Sequence, residues 1–226
     1  LVVNSGNANA FTGNKGAKAV AETVQAAKHA TGCGTGEVFA ASTGVIGEPL
    51  DAGKIARHMP DLIANCEPGQ WRKAAEAIMT TDTVPKGATR QVRIDGHEVT
   101  VTGIAKGAGM IRPDMATMLA YIATDAAIDA DALQQCLERA VARSFNRISV
   151  DGDTSTNDAC VLVATGGSGL PLLSAGDAPF AAVCGAVEAV CVELARAIVR
   201  DGEGASKFVE VCVRGAESDA AAEIIA

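Results

Sequence analysis

The stretch KGAGMIRPDMAT, residues 106–117, is followed directly by the apolar run MLAYIAT, residues 118–124. Its two glycines permit unusual backbone angles and Pro113 favours an extended residue before it, so the pattern predicts a constrained loop that enters a β-strand. A threonine at such a junction can attack the carbonyl of the preceding residue. Cleavage between Ala116 and Thr117 would then place a hydroxyl nucleophile and an α-amine on one residue. Taken alone, however, the pattern is better explained as an ordinary turn into a strand.

The α-amine that cleavage would expose is suited to act as a general base. Its pKa of about 7.7 to 8.0 leaves roughly a tenth of it unprotonated at pH 7, whereas a lysine amine near 10.4 is neutral less than about a thousandth of the time. Thr117 would therefore carry its own base. His29, His58 and His97 stand at no triad-like spacing, and we expect surface or structural positions for all three.

The composition indicates a globular protein that acts on small molecules. The 226 residues are 48% apolar, enough for a sizeable core, and the net charge is -8. Lys and Arg are scattered, which argues against nucleic acid or an anionic membrane as a partner. Seven cysteines without a CxxC pair favour reduced thiols packed in the core, no metal site and a cytoplasmic location. The chain opens as if in mid-strand and stops soon after a helix N-cap at Ser218, so we expect both ends to be cuts through a longer protein.

Strands and helices alternate along most of the chain, which favours an α/β or α+β fold. Apolar residues at helical spacing predict helices near 15–31, 51–65, 69–80, 129–145 and 178–200. Alternating or continuous apolar runs predict strands near 37–42, 90–95, 97–104, 118–124, 147–151, 160–165 and 207–214. Asp95-Gly96 lies between two of these strands, and this dipeptide is typical of a tight type I′ hairpin turn.

Two further segments carry groups that acyl transfer requires. In STGVIG, residues 42–47, Thr43 offers a hydroxyl and Gly44 a flexible backbone N–H, the two donors of an oxyanion hole. Thr-Gly pairs also end many strands for structural reasons alone. In DGEGA, residues 201–205, a carboxylate lies between two glycines after a predicted helix, a place where functional groups are common.

Two polar segments favour structural roles. NSGNANAFTGNKG, residues 4–16, lacks the glycine and lysine order of a phosphate-binding loop, so Asn4 and Asn7 are expected to satisfy backbone groups near the site. DGDTSTND, residues 151–158, lacks the glycine and glutamate of a calcium loop. A hydrogen-bonded turn that braces the strand after Thr117 is the better interpretation, and a contribution to the pocket stays open.

Six motifs together closely resemble the ornithine acetyltransferase family, also called glutamate N-acetyltransferases of the ArgJ type. They occur in family order and cover nearly the whole chain: NSGNANAFTG at 4–13, STGVIGEPL at 42–50, MTTDTVPK at 79–86, KGAGMIRPDMATMLAYIATDA at 106–126, RSFNRISVDGDTSTND at 143–158 and DGEGASKF at 201–208. The resemblance implies an arginine-biosynthesis enzyme that moves acetyl from N-acetylornithine to glutamate. Some members also acetylate glutamate with acetyl-CoA, which would then be a substrate, and no cofactor or metal is implied.

The resemblance also implies a fold and an activation step. Family members form a stack of α, β, β and α layers and cut themselves at the bond that matches Ala116-Thr117. Residues 1–116 would then be the α-chain portion and residues 117–226 the β-chain portion of one catalytic fold. Two copies of each chain commonly assemble into a heterotetramer.

Roles for individual residues follow from the matching motifs. Thr117 matches the nucleophile, which also contacts substrate and carries acetyl in a ping-pong reaction, and Thr43 and Gly44 match the oxyanion hole. Lys106 and Glu203 match substrate-binding positions. A threonine of MTTDT also binds substrate in the family, and Thr81 is preferred here over Thr80 and Thr83. The family's longer C-terminal segment supplies an asparagine and a threonine to the site, and neither can be placed in this chain.

Two other functions use the same features. A self-processing amidohydrolase or aminopeptidase would form the same acyl-enzyme but give the acyl group to water. A catalytically inactive scaffold would keep the fold and leave the Ala116-Thr117 bond intact.

Overall fold

The computed structural model describes residues 1–112 and 118–226. The helices are α1 (Gly13–Thr31), α2 (Ala52–Ala64), α3 (Trp71–Ala77), α4 (Ala130–Ala142), α5 (Ala178–Arg200) and α6 (Asp219–Ile225). The strands are β1 (Val2–Asn7), β2 (Ala40–Val45), β3 (Lys86–Ile94), β4 (His97–Lys106), β5 (Leu119–Thr124) and β6 (Ala159–Ala164). Short 3-10 turns cover Thr35–Glu37 and Phe145–Arg147.

Four strands form one sheet in the order β3-β4-β5-β6. The first two pairs are antiparallel and the β5–β6 pair is parallel. Asp95 and Gly96 join β3 to β4 with φ angles of 49° and 84°, so the predicted turn with two positive φ angles is confirmed. Strands β1 and β2 form a separate parallel pair.

The two faces of the four-stranded sheet bury different partners. Successive residues of a strand point to opposite faces, so Val101 belongs to the core cluster that includes α4 and α5, while Ile104 points the other way. On that second face, Ile104 and Tyr121 pack with α3 and with Val3 and Ala41 of the β1–β2 pair. Helix α1 contacts both α2 and β2. The layers therefore run α, β, β, α, as expected from the family resemblance.

Helix α5 provides much of the core under the sheet. Its buried residues recur at the spacing of one helical face and include Val183, Val187, Val190, Leu194 and Ile198. Burying side chains of this size contributes about 1.5 to 3 kcal/mol each relative to exposing them. The helix has the predicted bounds, since Pro179 suits its first turn.

Two predicted strands are wrong. Residues 147–151 and 207–214 form no strand, although the structure describes both ranges. The first opens in a 3-10 turn, and in the second Val209 and Val211 stay exposed, because alternation of apolar residues makes a strand only where another strand can pair with it. Strand β2 begins later than predicted, since Thr35–Glu37 form a turn, and the first strand, β1, begins at Val2.

The burial of the cysteines agrees only in part with the predicted core packing. All seven cysteines lie within the described residues as free thiols, and Cys136, Cys184 and Cys191 are buried. Cys66 and Cys212 are exposed, so the prediction of core packing is wrong for these two. In the ranges that the structure describes, no helix combines the length and the apolar character needed to cross a membrane.

Candidate active site

The predicted nucleophile Thr117 and the predicted cleavage partner Ala116 lie outside the described residues. The structure does describe the strands on either side of them in the sequence. Strand β4 ends at Lys106 and β5 begins at Leu119, and these two residues oppose each other in the antiparallel ladder. Lys106 and Leu119 therefore bring the two ends of the intervening segment to the same end of the sheet.

The strand register directs Lys106 towards the β1–β2 pair. Opposing residues of an antiparallel ladder share a face, and Leu119 belongs to the cluster packed against that pair. Accordingly, Lys106 Nζ donates a hydrogen bond to Thr43 Oγ1 on β2 at 3.1 Å. Both residues are buried, each 3% exposed. Two residues 63 positions apart in sequence are thus in direct polar contact between the sheets.

The contact with Lys106 determines which hydrogen bonds the Thr43 hydroxyl can make. An ammonium has only donors, so the Thr43 oxygen must accept from Lys106 and its own proton is left for another acceptor. Burial lowers the pKa of Lys106, while the negative charges of Asp82, Asp158 and Glu203 oppose that shift. The site therefore contains a desolvated ammonium beside a hydroxyl that is oriented as a donor.

Gly44 follows Thr43 at a position that requires glycine. Its φ is 128°, and a Cβ added there would overlap the backbone of Gly6 and Asn7 on β1. Gly6 and Gly44 are register partners in the parallel pair. The absence of a side chain thus lets the two strands approach closely beside Thr43.

Glu203 lies against the loop that follows Lys106. Its backbone N–H donates to the carbonyl of Ala108 at 2.7 Å. A Cβ added to Gly109 would lie 2.7 Å from Glu203 Oε2, so glycine at this position leaves room for the carboxylate. Glu203 is exposed, and its carboxylate is one of those that act on the pKa of Lys106.

The segment 151–158 is the predicted brace. Asp151 accepts from the backbone N–H groups of Met110 and Ile111, and Asn157 Nδ2 donates to the carbonyls of Ala8 at 2.6 Å and Ser42 at 3.1 Å. Burial would raise the pKa of Asp151, but these and other backbone N–H groups hold it below its usual value. The segment therefore ties the loop after β4 to the residue that follows β1 and to the middle of β2.

Asp158 extends the brace to the start of β5. Its Oδ1 accepts the backbone N–H of Met118, the residue after Thr117 in the sequence, at 2.9 Å. Its Oδ2 is buried and has no hydrogen-bond partner among the described residues. Burial raises the pKa of Asp158 to about 6, although the Met118 N–H, the Ser155 hydroxyl and the Lys106 charge act in the opposite direction.

The MTTDT segment contributes a buried carboxylate that the sequence reading missed. Asp82 accepts from Lys86 Nζ at 2.6 Å and from the Gly107 N–H at 2.7 Å. Burial would raise the pKa of Asp82, yet these two donors hold it below its usual value. Lys86 also donates to Asp201 Oδ2 at 2.6 Å. Opposite charges four residues apart were a signal for the first pair, whereas the pairing with Asp201 depends on the fold.

The three candidate threonines of this segment differ in their bonding. The Thr83 hydroxyl and N–H both donate to Asp201. Thr81 is exposed, and the hydroxyls of Thr80 and Thr81 make no hydrogen bond to any other described residue. Thr83 is thus hydrogen-bonded within the protein, and the choice of Thr81 over Thr80 and Thr83 stays a prediction.

Other predicted roles are structural. Asn4 donates to the carbonyl of Asn7, and Asn7 donates to that of Glu48, so both asparagines satisfy backbone groups as predicted. The three histidines are exposed. Within residues 1–112 and 118–226, no group of three or more His, Cys, Asp or Glu side chains could hold a metal ion.

Known proteins resemble this chain in sequence and in fold. The ArgJ family model matches residues 1–226. The "Arginine biosynthesis bifunctional protein ArgJ" of Agrobacterium fabrum is 53% identical, with alignment of 100% of this chain and 56% of that protein. Its counterpart in Brucella suis is 54% identical over the same shares. The chain therefore spans about half the length of the curated relatives it matches.

A solved structure resembles this chain in fold. The L-aminopeptidase D-Ala-esterase/amidase of Ochrobactrum anthropi, described as a variant of the Ntn hydrolase fold, aligns with a TM-score of 0.51. The alignment covers 80% of this chain and 64% of that one, at 15% identity, which shows likeness of fold alone. The match of the family model to every residue and the identity above 50% place this chain in the ArgJ family.

Proposed function

We propose that the full-length protein is a glutamate N-acetyltransferase, also called ornithine acetyltransferase, which moves acetyl from N-acetylornithine to glutamate in arginine biosynthesis. The observation that carries the proposal is the buried Lys106 ammonium bonded to the Thr43 hydroxyl, at the end of β4 where the loop towards Thr117 begins. This pairing offers recognition of a carboxylate and a donor for an oxyanion at one place. Membership of the ArgJ family supports the assignment.

The proposed first step is self-cleavage. The Thr117 hydroxyl attacks the Ala116 carbonyl, the peptide C–N bond breaks as an ester forms, and water then hydrolyses the ester. The products are an Ala116 carboxylate and a Thr117 residue with a free α-amine. Residues 1–116 and 117–226 become separate portions of one catalytic fold. The pairing of β4 with β5 supports this division, because it would hold the two portions together after the cut.

Acetyl transfer follows in two halves. The Thr117 amine takes the proton of its own hydroxyl, whose oxygen attacks the acetyl carbonyl of N-acetylornithine. The negative charge that develops on the carbonyl oxygen is stabilised by the Thr43 hydroxyl and the Gly44 N–H. Collapse breaks the amide C–N bond, and ornithine leaves with the proton on its amine. The amine of glutamate then attacks the acetyl-threonine ester, which yields N-acetylglutamate and regenerates the threonine.

The charged residues of the site suit both amino acids. The ammonium of Lys106 pairs with the α-carboxylate that N-acetylornithine and glutamate share. The carboxylate of Glu203 binds the δ-ammonium of ornithine or orients the Thr117 amine, and Thr81 adds a hydroxyl. A desolvated ammonium gains more from such a pairing than an exposed one, because water competes less for it.

The names of the curated relatives support a second activity. They are called bifunctional, and we assign the second activity to acetylation of glutamate by acetyl-CoA. Acetyl-CoA would then be an alternative acetyl donor in the same ping-pong reaction. The α-chain and β-chain portions associate, two of each, in the cytoplasm.

The decisive experiment compares two reactions of the purified full-length protein. It is incubated with N-acetylornithine, with and without glutamate, and ornithine, acetate and N-acetylglutamate are measured. The proposal expects ornithine release to depend on glutamate and to match the N-acetylglutamate formed. Release of ornithine and acetate at the same rate without glutamate would instead identify an amidohydrolase. No release together with an uncut chain would identify an inactive scaffold.

A further inference from the structure

A buried ion network joins separate parts of the candidate site. Lys86 Nζ lies 2.6 Å from Asp82 Oδ1 and 2.6 Å from Asp201 Oδ2. The side chains of Lys86, Asp82 and Asp201 are 1%, 0% and 7% exposed. Two carboxylates thus share one ammonium, which leaves a net negative charge in the interior. Such a charge is costly unless further donors or cations face it.

The Gly107 N–H and Lys106 meet this requirement. Asp82 Oδ1 accepts the N–H of Gly107 at 2.7 Å, which fixes the backbone of the residue next to Lys106. The charged groups that face Lys106 are Asp82, Asp158 and Glu203, together with the ammonium of Lys86. Burial lowers the pKa of Lys106, and among these charges Asp82 opposes that shift most.

The other end of the network reaches the segment of Glu203. Asp201 follows the last residue of α5 and accepts from the Thr83 N–H at 3.0 Å. Two residues later, the Glu203 N–H donates to the carbonyl of Ala108. The loop after Lys106 is therefore held from one side through Asp82 and from the other through Glu203.

We propose, building on the proposed acetyl transfer, that Asp82 is a positioning residue that keeps Lys106 in place and charged to receive the substrate carboxylate, with Lys86 and Asp201 as its anchor. Asp82 acts through the bond to the Gly107 N–H and through its negative charge. It does not itself contact the substrate.

A matched pair of variants separates this role from general support of the fold. Asp82→Asn and Asp201→Asn each leave Lys86 with one carboxylate, but only the first removes a charge that faces Lys106. For Asp82→Asn we expect the KM for both amino acids to rise about 10-fold, with a smaller fall in kcat. We also expect the alkaline limb of the pH profile, the fall of kcat/KM at high pH, to move to lower pH by about one unit. The reason is that Lys106 loses its proton at lower pH without that carboxylate. Asp201→Asn should leave the limb in place.

The same limb position in wild type and Asp82→Asn, or an equal displacement in both variants, would overturn the proposal. Asp82→Glu keeps the charge and covers the case in which Asp82→Asn does not fold. It should raise KM while keeping the wild-type limb, and a displaced limb would contradict the charge role.

An independent readout requires no substrate. Amide hydrogen exchange of a peptide that spans residues 104–110 should be faster in Asp82→Asn than in Asp201→Asn, because only the first weakens the bond to the Gly107 N–H. Equal exchange in the two variants would overturn the positioning role. If wild type transfers no acetyl, the proposed function fails, and the exchange result still decides whether Asp82 holds the loop.

Discussion

The ammonium of Lys106 donates to the hydroxyl of Thr43 across the space between the two sheets, at 3.1 Å. The contact arises because Lys106 opposes Leu119 in the ladder and so faces the β1–β2 pair. It couples two parts of the proposed reaction. In the proposed reaction Lys106 holds the substrate carboxylate and Thr43 is an oxyanion donor, so a change at either residue should affect the other's task.

Replacing Thr43 by valine tests the oxyanion role. Valine keeps the shape of threonine and removes the hydroxyl, so kcat should fall by about 10²-fold to 10³-fold, the effect of losing one such donor. Steady-state kinetics of glutamate-dependent ornithine release would measure it. Thr43→Ser, which keeps the hydroxyl, is the control and should retain most of kcat. Equal losses in both variants would show that packing, rather than the hydroxyl, matters at this position.

Replacing Thr117 by alanine tests self-cleavage. Alanine lacks the attacking oxygen, so intact-mass spectrometry of the full-length variant should show one chain, where wild type shows two that sum to the uncut mass plus one water. Thr117→Ser keeps a hydroxyl and should still be cut. A single uncut wild-type chain would contradict self-cleavage by Thr117, and so would two chains from Thr117→Ala.

The fold was predictable where the signal is local. Helix α5 has the predicted bounds because its apolar stripe repeats over many turns. The turn at Asp95-Gly96 is predictable from these two residues alone. Residues 207–214 show why other parts of the fold could not be predicted from the sequence. Their alternation matches a strand, but whether a strand forms depends on a pairing partner elsewhere, which no local pattern specifies.

In the site, individual residues could be predicted from motifs, but the contacts between them could not. The family motifs pointed to Lys106 and Thr43 separately, but their contact depends on the stacking of two sheets. Asp82, Lys86 and Asp201 were not predicted as a network, because up to 118 positions separate Asp201 from its partners in the MTTDTVPK segment. The spacing of Asp82 and Lys86 is a local signal, but nothing near Asp201 in the sequence indicates its pairing with Lys86.

Gly44 should not tolerate a side chain. Gly44→Ala places a methyl group against the backbone of Gly6 and Asn7 at a φ of 128°, so we expect a loss of about 2 kcal/mol or more in the free energy of unfolding. Gly36→Ala is the control, because a Cβ there meets no atom within 4 Å, and its effect should stay within about 0.5 kcal/mol. Chemical denaturation of the full-length variants would compare them. Similar losses at both positions would contradict the close approach of β1 and β2.

Asp158 should make the stability depend on pH. Burial raises its pKa to about 6, above the value of about 3.9 in an unfolded chain. Between these values the folded state binds the proton more tightly, so this carboxyl stabilises the protein at low pH, and the contribution is lost as pH rises through about 6. From pH 5 to pH 8 the loss should be about 1 kcal/mol.

The variant Asp158→Asn isolates this contribution, since the amide keeps an oxygen for the Met118 N–H but does not titrate. Chemical denaturation at pH 5 and pH 8 should therefore show a smaller fall in stability for the variant than for wild type. Subtracting the variant's loss of stability between pH 5 and pH 8 from that of wild type removes the contribution of every other group whose titration is the same in both proteins. Identical falls would mean that Asp158 is already ionised in the folded protein at pH 5, and that the Lys106 charge and the Met118 N–H outweigh its burial.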